Sequence, residues 1–63
     1  MKAPYYIELK ESPPGPQEQP YWWRVVCLNG KVLLTSETYA RKATRTRVAK
    51  NFARWTGLEI RES

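Results

Sequence analysis

Between Ala40 and Thr56 the chain carries Arg41, Lys42, Arg45, Arg47, Lys50 and Arg54, and no acidic residue. Several cations held on one rigid element suit phosphate, because each neutralised phosphate releases condensed counterions. Residues 1–39 hold four basic and four acidic groups and residues 57–63 sum to −1, so the net +5 belongs to this one segment. Other chemistries lack their residues. With no His and no Asp, neither a Ser-His-Asp nor a Cys-His arrangement can be built, and the six Glu are scattered without a pairing motif. Gly15, Gly30 and Gly57 form no phosphate-cradling loop. Cys27 is alone, so it has neither a disulfide partner nor a His to share a metal. Its apolar neighbours predict a buried structural thiol, which suits a reducing compartment. No catalytic residue, metal site, cofactor or small-molecule substrate is therefore expected.

The elements that must position these cations follow from pattern. Tyr5 to Lys10 alternates apolar and polar, the period of a first strand. Glu11 to Pro20 holds Pro13, Pro14, Pro16 and Pro20, which lack the ladder donor and fix φ, so this stretch reads as an extended loop. Tyr21 to Leu28 and Lys31 to Ser36 flank Asn29-Gly30, the pair that a two-residue type I′ hairpin turn demands. Such a loop sets Val25 against Leu34, Val26 against Leu33 and Cys27 against Val32. One face would then collect Trp23, Val25, Val32 and Leu34, and the other Trp22, Arg24, Val26, Leu28 and Leu33.

Ala40 to Thr56 reads as a helix ended by Gly57. No good N-cap residue precedes Arg41, so the helix could start nearer Thr44. At about 100° per residue, Thr44, Val48, Phe52 and Trp55 make an apolar stripe, with Arg47, Lys50 and Arg54 opposite. Trp23, Tyr39 and Trp55 are expected as core anchors. Leu58 to Arg61 alternates again and offers a short fourth strand. The fold class is α+β, one 63-residue domain with a three-stranded antiparallel sheet and one helix on its Trp23 face, in the order β-β-β-α.

The stretches Tyr21-Trp22-Trp23-Arg24-Val25, Asn29-Gly30-Lys31-Val32-Leu33, Ser36-Glu37-Thr38-Tyr39 and Lys42-Ala43 together resemble the YegP-like family, small bacterial domains of unknown function. The resemblance covers about residues 5–56. It implies a β-β-β-α fold and, for a single copy, pairing of two chains; it implies no activity, cofactor or catalytic residue. Thr38 departs from a usual Gly, the Pro-rich stretch replaces a short hairpin, and Val26 and Leu28 take outward positions that are usually polar. A hairpin ending in Gly-Lys and a helix opening Arg41-Lys42-Ala43 also resemble the amino-terminal arm-binding domains of phage-type integrases, which lay their sheet in the major groove. The same helix start resembles the last helix of double-stranded RNA-binding domains.

Two readings stay open. One is a nucleic-acid module acting on DNA or RNA through Arg41, Lys42, Arg45, Arg47, Lys50 and Arg54. The other is a protein-interaction module, or a small phage or bacterial regulator, that docks on a partner or on itself through Trp22, Arg24, Val26, Leu28 and Leu33, since an apolar outer sheet face must be covered. A homodimer would cover it. No run approaches the roughly 20 apolar residues of a membrane span, which leaves a soluble cytoplasmic protein as the expectation.

Overall fold

The computed structural model describes residues 4–13, 15 and 18–62, with Glu62 by its backbone. Pro14 and Pro16 of the proline-rich loop lie outside the described residues. Strands β1 (Tyr5–Glu11), β2 (Tyr21–Cys27) and β3 (Val32–Thr35) precede helix α1 (Lys42–Thr56), and β4 (Glu59–Glu62) closes the order. They form one mixed sheet, β3-β2-β1-β4, with β1 antiparallel to β2 and parallel to β4. The fourth strand is thus real, and α1 carries the chain from one edge of the sheet to the other.

The alternation in β1 and β2 does what it predicts. Ile7, Leu9, Trp23 and Val25 are buried on one face, and Ala49 of α1 seals the core against them. Tyr5, Tyr39, Val48, Phe52, Leu58 and Ile60 pack around this cluster, half-buried. The corner between β3 and α1 is tied to β2 at two points. Ser36 Oγ accepts from the Trp23 N–H at 2.9 Å, and Tyr39 exchanges backbone bonds with Tyr21. The proline-rich loop closes at its base, where Ser12 N–H donates to the Pro20 carbonyl at 2.8 Å.

The hairpin turn differs from the expected type I′. Asn29 keeps a negative φ, and only Gly30, at φ 94°, enters the left-handed region. Gly30 N–H donates to the Cys27 carbonyl, and Cys27 N–H donates to the Lys31 carbonyl, both at 2.8 Å. The loop is therefore three residues, Leu28-Asn29-Gly30, which spares Asn29 a strained backbone and lets Gly carry it. The longer loop slips the register by one, so Val26 opposes Val32 rather than Leu33. A bulge at the next step then absorbs Leu33 and restores the predicted pair Val25–Leu34, with Arg24 opposite Thr35 beyond it. Val32 consequently follows Val26 to the outer face instead of joining Leu34 on the helix side.

Helix α1 starts at Lys42 with Arg41 as an N-cap that makes no side-chain bond, and ends on Gly57 at φ 79°, whose N–H donates to the Ala53 carbonyl at 2.7 Å. The end matches the sequence, and the start falls between the two expected positions, Ala40 and Thr44. Its rotation does not match. Arg45 and Ala49 are the buried residues, so the helix is turned by well over half of the ~100° between neighbours relative to the Thr44–Trp55 stripe. Ala49 explains the choice, because its small side chain lets the helix settle closely on β1 and β2.

Candidate nucleic-acid interface

Rotation of α1 decides which cations reach solvent. Arg41, Lys42, Arg47, Lys50 and Arg54 are exposed. Lys42, Arg47, Lys50 and Arg54 share one outward surface with Ala43, Thr46 and Asn51. None of the five cations makes an ion pair among the described residues, whereas the other basic groups of the sheet are engaged. Arg24 Nε lies 2.6 Å from Glu8 Oε1, Lys10 Nζ 3.9 Å from the same atom, and Arg61 2.7 Å from Glu59. The absence of any acid within α1 is what leaves its charge uncompensated; like charges at i, i+3 and i+7 repel by a few tenths of a kcal/mol per pair in the free helix.

Arg45 is a correction to the sequence reading, which grouped it with the solvent-facing cations. It is 4% exposed. Its Nη1 donates to the Lys10 carbonyl at 2.7 Å, and its guanidinium stands 5.5 Å over the Tyr21 ring, while Nε has no partner. The long aliphatic stem lies in the core and the planar head satisfies a backbone acceptor at the base of the proline-rich loop. Charge alone could not reveal this, but position could: at about 100° per residue Arg45 stands roughly 140–180° around the helix from Arg47, Lys50 and Arg54. The signal was Ala49, small and one turn away on the same face.

The apolar surface also lies elsewhere than expected. Val26 is buried at 4% exposure, Trp22 is half-buried with the Arg24 guanidinium 5.8 Å over its ring, and Arg24 is tied to Glu8. With Arg61 4.5 Å over Tyr6, the outer face is a lattice of rings and paired charges rather than a bare apolar patch. Leu28 and Leu33 are exposed as expected, Leu28 in the hairpin loop and Leu33 on the edge strand β3 beside the exposed Val32 and Leu34. No contact joins α1 to β3, so this edge is uncovered by the helix. Cys27, expected buried, is a half-buried free thiol. Trp55, expected in the core, is 83% exposed.

Comparison with family models, with curated proteins and with solved structures finds no match. No described helix is long and apolar enough to cross a membrane.

Proposed function

We propose that this chain is a small non-enzymatic module that binds nucleic-acid phosphates through the outward face of α1. The observation that supports it is the five exposed cations, Arg41, Lys42, Arg47, Lys50 and Arg54, without an ionic partner among the described residues. Cations whose charge is already spent on internal acids contribute little to a polyanion; these five retain theirs. Affinity then comes from counterion release and carries little sequence preference, because contacts to phosphate position a protein without reading bases. A reducing, cytoplasmic setting accords with the lone free thiol, Cys27.

Charge reversal tests the reading. The triple variant Arg47→Glu, Lys50→Glu, Arg54→Glu should keep its circular-dichroism spectrum, since all three side chains are exposed, and should lose binding to generic DNA or RNA. For three phosphate contacts, log affinity should fall with log salt at a slope of nearly −3 on a duplex and about −2 on a single strand. Each single replacement by Ala should flatten that slope by roughly 0.7–0.9. A folded wild-type protein that shifts no nucleic acid at low salt would end the proposal.

A second reading has its own observation. The β3 edge presents Val32, Leu33 and Leu34 with no charged residue in the strand, while the opposite edge, β4, is guarded by Glu59 and Arg61. β3 is short and carries the bulge at Leu33, yet it lacks the charges that guard β4, and an uncharged edge is open to pairing with another strand. A second copy, joined antiparallel at β3, is the occupant that would cover this edge on both chains at once; a foreign protein partner is the alternative if the chain stays monomeric.

A further inference from the structure

Trp55 has no role in the phosphate contacts, yet it is the most exposed large apolar side chain among those described, at 83%. Such a ring gains more from burial than almost any other side chain, so its position needs a reason. It is anchored rather than loose. Its ring centroid lies 6.2 Å from that of Phe52, and Phe52 lies 5.0 Å from the buried Trp23. A line of three rings thus runs from core to surface and holds the outermost with most of its area free.

Trp55 stands at the margin of the cationic surface, next to Asn51, which belongs to it. At about 100° per residue, Trp55 stands roughly 40° around the helix from Asn51, 80° from Arg47 and 100° from Arg54. The ring therefore borders the charged strip. The strip itself is about 20 Å long from Lys42 to Trp55 at 1.5 Å per residue, room for a few nucleotides.

We propose that Trp55 is a base-stacking platform and that the ligand of the helix is single-stranded nucleic acid. This rests on the phosphate-binding reading above. In a duplex the bases are stacked on one another and offer only their edges, so an exposed indole has no face to meet. In a single strand the faces are free, every base has one, and a cationic track beside an exposed aromatic ring is the combination that sequence-tolerant binding uses. Trp22 is less suited, because it is half-buried and Arg24 already lies over its ring.

The test is a titration of the whole chain with a short oligo(dT) and with the matching dA·dT duplex, read by fluorescence anisotropy at low salt. Wild type is compared with Trp55→Leu, which keeps an apolar contact to Phe52 but lacks the ring face, and with Trp55→Tyr. Oligo(dT) should bind more tightly than the duplex. Trp55→Leu should weaken oligo(dT) binding by roughly 5- to 150-fold with an unchanged salt slope. Trp55→Tyr should recover most of the loss, and the duplex should bind all three proteins alike. If neither oligonucleotide binds wild type, the phosphate-binding reading fails and stacking goes with it. If both bind and Trp55→Leu is indistinguishable from wild type, or loses equally on duplex and single strand, the stacking inference alone is overturned.

Discussion

A guanidinium inside so small a domain is held by what surrounds it, and Arg45 shows the terms. Its head exchanges water for one carbonyl at 2.7 Å and the face of Tyr21, leaving Nε unpaired. Buried donors left without a partner cost about 1–3 kcal/mol, so the side chain stays inside largely for its stem and for the Lys10 carbonyl it satisfies. Arg45→Ala removes both and should destabilise by about 2–4 kcal/mol in urea unfolding. Arg45→Met keeps the stem and sheds the charge, and should cost less than half as much, because well-packed apolar replacements of buried ions are often near neutral. Neither variant should alter the salt slope of nucleic-acid binding, since Arg45 does not reach the surface where phosphates would lie. A flattened slope for the folded Met variant would place Arg45 back among the contacts.

At the scale of elements, turn chemistry and register are the instructive case. Asn29-Gly30 located the hairpin, and alternation located β1, β2 and their inward faces. What the pattern left out was the cost of a left-handed Asn, which the three-residue loop avoids at the expense of a bulge at Leu33. The two turn types predict different variants. In the observed loop, Gly30→Ala meets no steric neighbour but must adopt φ 94°, a cost of about 1–2 kcal/mol. Asn29→Ala loses only an exposed side-chain bond to Lys31 N–H at 3.0 Å and should cost under about 0.5 kcal/mol. Comparable losses at both positions in denaturant unfolding would point to the two-residue turn after all. The helix was legible in extent and cap but not in rotation, because an Arg stem and an Ala count for little on an apolar stripe although they pack most deeply here. The rotation leaves Arg47, Lys50 and Arg54 outward, where the sequence placed them, and exchanges Trp55 and Arg45 between surface and core.

For the whole molecule, the two sheet edges are unlike. β4 carries Glu59 and Arg61, paired at 2.7 Å, and β3 carries Val-Leu-Leu-Thr with every residue exposed. Self-association through β3 would extend the sheet across a two-fold axis and bring both helices to the same side, doubling the cationic surface. Leu33→Lys adds the kind of charge that natural edges use as protection, and should convert a dimer to monomer in sedimentation while leaving the unfolding midpoint of the monomer nearly unchanged. A wild type that sediments as a monomer at every accessible concentration would remove the second copy as the occupant of this edge.

The route of α1 across the sheet also sets an order in time. The β2–β3 hairpin joins neighbours in sequence and can close within about 1–10 μs. β4 pairs with β1 from the far end of the chain, Tyr6 with Glu59, and must wait until the intervening helix has carried it from the β3 edge to the other side. Contacts of such long sequence separation form late, because loop closure has to precede any gain from them. Until β4 pairs with it, β1 is itself an open edge of the sheet. Synthesis or refolding at high concentration is when this sheet is most open to wrong partners, and the arrival of the charged β4 strand ends that interval on one side only.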